Sequence, residues 1–300
     1  MHLLDLIRYS QYNILYHTRE KKAILFCKFF EKKVIFIKRT DLICENAVLN
    51  DCSYSSRVHS GEMSGTRYTD ISVDEESAES IGLAVGRYIT VYTDKGDVRA
   101  CVSGLLNDML PSGTALVAGL GNENICSDSL GTKALGFIPA TAHLSECKDF
   151  SDLGMRKVCV VEAGVTGKTG IESSTRITSE AVCAGAELII VIDSLACSEP
   201  ERLCSVIQIT DTGISPGSGV GNDRRALNKE TAGVPVIAIG VPTVIDLDCI
   251  TDAPFAKGFM VTPRNIDVSV HRLAGIIGRA VSTALNPNLT DDEIRSLIIY

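Results

Sequence analysis

Nowhere in these 300 residues does an apolar run approach the roughly 20 residues that a membrane-spanning helix needs. The N-terminus also lacks the apolar stretch and small-residue cleavage site of a secretory signal, since Asp5 and Arg8 interrupt it. Neither membrane insertion nor export is expected. The eleven cysteines are odd in number, scattered, and without a CxxC pair, which argues against a zinc knuckle or a disulfide framework. They fit a reducing interior, where cysteine packs as a small hydrophobe. Positive charge is scarce beyond the first 40 residues. Of 29 basic and 37 acidic residues, nine and three lie in that stretch, so the rest holds 20 basic against 34 acidic. An acidic body does not bind nucleic acid through its own field, although it attracts a basic partner. There is no internal repeat and no low-complexity tract.

What is present suffices for a full core, with 45% hydrophobic and 22% charged residues. The first 38 residues differ in character from the remainder of the chain. Phe26, Phe29, Phe30, Phe36, Tyr9, Tyr12 and Tyr16 are seven of the sixteen aromatics in the chain. This stretch reads as a leader, a prosegment or an incorrectly assigned start. The expected organisation is residues 1–41 as that leader and 42–300 as a single α/β domain.

Leu188-Ile189-Ile190-Val191-Ile192 is a run of branched apolar residues, the signature of a strand buried on both faces inside a parallel sheet. Asp193 comes directly after it. Two readings are open: the carboxylate is aimed at the crevice outside the carboxyl ends of the strands, or it caps a helix beginning at Ser194-Leu195-Ala196. Further strands are expected at 68–73, 87–92, 114–118, 158–161, 206–209 and 234–239, with a polar loop running up to Gly65. Helices are expected at 75–83, 173–184 and 265–285, the last with Ile266, Val270, Leu273, Ile277 and Val281 on one face. Strands alternating with helices predict a doubly wound, mostly parallel sheet.

Four familiar spellings fail on context. Gly119-Leu120-Gly121 lacks the third glycine of a dinucleotide fingerprint, Asn124 standing there. Gly164 to Thr169 ends like a phosphate loop, but the opening glycine of that motif is replaced by Glu162. Gly213-Ile214-Ser215-Pro216-Gly217 spells a serine-hydrolase elbow without the helix that must come after it, and His271 on a terminal helix reads as a surface residue. Asp211-Thr212-Gly213 spells the loop of the all-β aspartic proteases, which need it twice; here it occurs once, and Asp211 reads as a turn residue. The remaining constellation is Asp193 with Asp128, a second carboxylate just past a strand. Two such groups at close range share a proton, so one takes a proton from water while the other donates to a carbonyl oxygen.

Arg39-Thr40-Asp41-Leu42, Gly119-Leu120-Gly121-Asn122 with Asp128 and Leu130-Gly131, Thr169-Gly170-Ile171-Glu172 and Ile192-Asp193-Ser194-Leu195-Ala196 form an ordered set. With Gln208 to Asn222, Pro235 to Asp246 and Met260-Val261-Thr262-Pro263, it resembles the germination proteases of spore-forming bacteria, peptidase family A25, from about Arg39 to Leu285. The resemblance implies a three-layer α/β fold like that of hydrogenase maturation endopeptidases. It implies an atypical aspartic endopeptidase that degrades small acid-soluble spore proteins during germination. The family is cofactor-free, homotetrameric, and made as a zymogen in the cytoplasm of the forespore, the later spore core. Its catalytic pair falls on Asp128 and Asp193, and its autoprocessing junction on Asp41-Leu42. Gly213, Ser215, Gly217, Gly219 and Gly221 are expected to shape the cleft, with backbone amides available to an oxyanion or substrate strand. Cys126-Ser127 replaces a Thr-Pro of the family, Ser215 replaces a histidine, and the stretch from Thr251 to Phe255 is shorter than in other members. Two alternatives stand beside this reading: a metal-dependent endopeptidase with His143 as a ligand, and a non-catalytic binder of small proteins.

Overall fold

Five strands whose apolar residues point to both faces set the centre of the molecule. The computed structural model describes residues 58–81, 83–215 and 225–298. Its strands in chain order are β1 (Val58–Met63), β2 (Thr66–Val73), β3 (Gly86–Tyr92), β4 (Ala115–Gly119) and β5 (Val158–Glu162). They continue with β6 (Leu188–Cys197), β7 (Val206–Thr210), β8 (Val236–Asp246) and β9 (Met260–Val261). The helices are α1 (Glu75–Ile81), α2 (Val98–Asn107), α3 (Leu130–Leu135), α4 (Lys148–Asp152) and α5 (Thr166–Thr169). After these come α6 (Ser173–Ala184), α7 (Lys229–Ala232), α8 (Ile266–Leu285) and α9 (Asp291–Ser296).

One sheet runs in the order β1-β2-β3-β7-β8-β6-β4-β5, with β9 beside the far end of β8. β8, β6, β4 and β5 are parallel, and β1, β2, β3 and β7 extend the sheet as an antiparallel wing. The pleat sends Leu188, Ile190 and Ile192 to one face, where α2, α3 and α8 pack, and Ile189 and Val191 to the other, with Ile177 and Ala181 of α6. Helices on both faces of one sheet make the expected three-layer α/β architecture. Each of these buried aliphatic side chains contributes up to about 2–3 kcal/mol on removal from water.

Local signals explain the helix limits. α6 stops at Gly185, which is left-handed and donates its N–H to Val182, while Ala186 donates back to Ala181. α8 buries Val270, Leu273, Ile277 and Val281, as its period predicts, and ends before Asn286-Pro287, where the proline disfavours helix at the residue ahead of it.

Two readings need correction. The stretch before Gly65 is not wholly a loop, because Val58–Met63 is the edge strand of a hairpin with β2. Ser194-Leu195-Ala196 does not start a helix: β6 continues to Cys197, its ladder with β8 holding the chain extended. Asp193 is therefore no helix cap. Residues 1–41, including Asp41, and Leu42 after them lie outside the described residues, as do Gly217, Gly219 and Gly221. Among the described residues, no helix is long and apolar enough to cross a membrane.

Candidate active site

The chain leaves β4 outward to β5, crosses back over the sheet through α6 to β6, and then continues away toward β7 and β8. β4 and β6 are neighbours whose onward connections diverge, so the crevice of this fold opens at their carboxyl ends. Asp193 lies there. The ladder between β4 and β6 ends at Gly119 and Ile192, whereas the ladder between β6 and β8 runs on to Cys197. Asp193 is thus held in strand geometry by one neighbour at the point where the other stops. Its residue is 7% exposed, and Oδ1 accepts the N–H of Ser194 at 2.8 Å.

Asp128 reaches the same edge from the loop after β4. It ends the 3₁₀ turn Cys126–Asp128, which lies against β6 and β8, and it is half-buried. Its Oδ2 accepts the Asn122 N–H at 2.9 Å, and the same N–H lies 2.9 Å from the Asp128 carbonyl oxygen. On the other side, Leu120 N–H donates to Ile192 at 2.9 Å, tying the start of this loop to the residue before Asp193. The fold thus sets two carboxylates on adjoining elements at its crevice, a group type that can accept or donate a proton.

Thr243 is the residue that sequence reasoning missed. β8 carries a bulge there, since Leu195 pairs with Pro242 and Ala196 with Val244. The fully buried Thr243 donates Oγ1–H to the carbonyl of Ser127 at 2.6 Å, and its own carbonyl accepts from Thr262 Oγ1 at 2.8 Å. The bulge therefore pins the turn that carries Asp128. Pro242 within an apolar strand was the available signal, because proline in a sheet interior marks a bulge or an edge.

The other candidates disperse. Asp211 comes after Thr210, which pairs with Ala238, so it lies roughly 10 Å back along the sheet from the row of Asp193 and Gly240. Its Oδ1 accepts the Arg87 N–H at 2.7 Å, the turn-residue role expected of it. Gly213, at φ 80°, turns the chain so that Ile214 bridges to Leu227 and packs beside Leu195, two residues beyond Asp193; Ser215 is next in the chain. His143 is exposed on the turn Ala142–Leu144. Thr141 N–H bonds Val158, the first residue of β5, so His143 sits at the amino end of the parallel strands, roughly 17 Å along them from Asp193. That separation removes it from the ligand set expected of a metal site. Among the described residues, no three His, Cys, Asp or Glu side chains gather as a metal site. His271 is exposed on α8 with its ring against Phe137.

An α/β sheet with acidic groups at its switch point is a frame for hydrolysis, and comparison with known proteins makes the class specific: the chain is a peptidase. The family model for germination proteases matches residues 49–255. A germination protease of Clostridium perfringens is 34% identical over 279 residues, covering 75% of this chain and 86% of that protein. One of Clostridium tetani is 33% identical over 319 residues, covering 87% and 99%. This chain belongs to the germination protease family. Among solved structures, the [NiFe] hydrogenase maturation protease HycI of Thermococcus kodakarensis superposes with a TM-score of 0.36 at 16% identity, over 59% of this chain and 98% of that one.

Proposed function

We propose that this peptidase is an endopeptidase of the aspartic type, with Asp128 and Asp193 sharing one proton around a single water. The observation that carries the reading is their common position at the divergence of β4 and β6. The charged carboxylate withdraws a proton as the water attacks the peptide carbonyl, and the protonated one donates to the developing oxyanion. Thr243 and Asn122 act as positioning residues by holding the Asp128 turn. The substrates proposed are the small acid-soluble proteins of the spore, degraded in the spore core at germination. In the same proposal the chain is made as a zymogen, processed at Asp41-Leu42, and works as a homotetramer; its glycine-rich loop from Gly213 to Gly221 shapes the cleft. Family membership and the acidic body, suited to binding basic segments, support this reading.

The test is cleavage of a purified spore DNA-coating protein by Asp128→Asn and Asp193→Asn. Each variant is expected to lose at least about 10³-fold in kcat while remaining folded, general acid–base groups accounting for 10²–10⁴-fold. Near-normal turnover in either would remove the pair. N-terminal sequencing of aged protein that finds a cut elsewhere than Asp41-Leu42 would remove the processing step.

A further inference from the structure

The loop that carries Asp128 is closed on itself by its own backbone. Gly121, at φ 98°, lies so near the Asp128 carbonyl that an added Cβ would meet that oxygen at 1.9 Å. Ile125 N–H donates to the Asn122 carbonyl at 3.0 Å, and Asp128 N–H donates to the Ile125 carbonyl at 2.8 Å. Asn124 N–H is taken by Asn122 Oδ1 at 3.1 Å, and Ser129 Oγ–H donates to the Cys126 carbonyl at 2.9 Å. With Thr243 of β8 bonded to Ser127, the sheet holds the turn as well.

One side chain of this loop is out of character. Among the polar residues Asn122, Glu123, Asn124 and Ser127, Ile125 is apolar and 50% exposed. A lone exposed isoleucine is ordinary on a protein surface, but this one is tied to the candidate active site. Its carbonyl accepts from Asp128 itself, and a turn of that span keeps the two Cα atoms within about 7 Å. Lys168 pairs with Glu123 at 3.0 Å, joining to this loop the segment that leads to Ile171, another isoleucine 51% exposed. Ile125 is extended, at φ −115° and ψ 109°. Being β-branched, its side chain is stiff at χ1 and loses little freedom when it is covered.

We infer that Ile125 is a specificity-determining residue, forming one wall of a subsite for a large apolar side chain of the substrate. The inference rests on the proposal that cleavage takes place at Asp128. An extended peptide advances roughly 3.3 Å per residue, so a side chain that covers Ile125 belongs within about three residues of the bond being cut. Contact there removes apolar surface of both partners from water, and apolar sites distinguish substrates by about 10-fold or more per methylene. In the test, mass spectrometry locates the bond cut in a purified spore DNA-coating protein, and the large apolar residue nearest that bond is replaced by alanine in the substrate. The wild-type enzyme should lose at least about tenfold in kcat/KM on the trimmed substrate, and Ile125→Ala less than about threefold, having already given up the contact. The two enzymes should then cut the trimmed substrate within about threefold of each other, an equality that a misfolded variant fails. Ile125→Val, which keeps the branched shape, should fall between them. Val182→Ala, at a 74% exposed position near the C-terminus of α6, should match the wild type on both substrates. Equal losses in wild type and Ile125→Ala, or no large apolar residue within about three positions of the cut, would overturn the subsite. Asp128→Asn separates this inference from the dyad. Near-normal turnover by that variant with unequal losses retained would remove the dyad and leave the subsite, whereas an inactive Asp128→Asn with equal losses would do the reverse.

Discussion

Gly131, the second residue of α3, sits where that helix meets the carboxyl ends of β4 and β6, and an added methyl there sets two effects against each other. In Gly131→Ala the new Cβ would lie 2.3 Å from the Ile192 carbonyl oxygen, 2.5 Å from that of Leu120 and 2.6 Å from the Leu120 nitrogen. All three are backbone atoms, two of them the partners of the Leu120–Ile192 hydrogen bond, so no side chain can rotate away. Contact distances for carbon require α3 to retreat by about 1 Å. Helix propensity favours alanine by about 1 kcal/mol. Overpacking costs about 1–3 kcal/mol, and a weakened buried hydrogen bond adds about 1–3 kcal/mol. The net expectation is a loss of about 3 kcal/mol, or a Tm lower by about 6–12 °C for a domain of this size. Activity should fall further, because Asp128 is two residues before α3 begins and a misplacement of about 1 Å can cost about 10²-fold in rate. Urea unfolding with turnover measurements tests both. A variant that is about 1 kcal/mol more stable and cleaves within twofold of wild type would refute the close-packing argument.

Asp211→Ala removes the acceptor of the Arg87 N–H at the exposed end of the antiparallel wing, so stability should drop by about 0.5–1 kcal/mol while the cleavage rate stays within about threefold; a collapse of kcat with unchanged stability would return Asp211 to the active site. Burial pushes the Cys101 and Cys204 thiols up to about 11. At pH 8 a thiol reagent mapped by mass spectrometry should therefore modify exposed Cys126, Cys147 and Cys183 first, half-buried Cys204 more slowly, and buried Cys101 only on unfolding; early labelling of Cys101 contradicts this. Since the Cys101 and Cys204 thiols both hold their protons more tightly when folded, their contribution to stability is complete below the unfolded thiol range and declines as pH rises toward 11.

The buried parallel strands and the long helices were legible because their periods are strong. Leu188 to Ile192 could only be a strand covered on both faces, and α6 spans the expected residues 173–184. β1 was hidden because it is an edge strand whose His59, Ser60 and Glu62 face outward or partly so, giving too little apolar alternation. Its turn was nonetheless spelled by Ser64-Gly65, both at positive φ. α2 escaped because Gly104 lowers its propensity; there the glycine admits the sulfur of Met63, a tertiary contact that no local pattern encodes. The continuation of β6 through Cys197 is tertiary as well. Ser194-Leu195-Ala196 suits a helix as readily as a strand, and the ladder with β8 decides.

That continuation changes what a carboxylate at Asp193 means. A helix cap would have been satisfied by amides of its own helix and placed at a fraying end. A strand residue is instead fixed by the register on the β8 side, with Ile192 before it and Leu195 after it both buried in apolar clusters. Holding an acid there costs desolvation free energy, toward which the N–H of Ser194 contributes one hydrogen bond. A sheet would not retain such a group for packing, since an aliphatic residue fills the position at lower cost. Asp128 shows the same logic of placement. Its turn is anchored by the bulged Thr243 of β8, the strand that also sets the register of Asp193. One strand thereby determines the relative position of both acids, whereas Asp211 is joined to β3 and serves the wing. The topology thus sets Asp128 and Asp193 at the crevice between β4 and β6 and Asp211 on the wing, a distinction that the more familiar Asp-Thr-Gly spelling obscures.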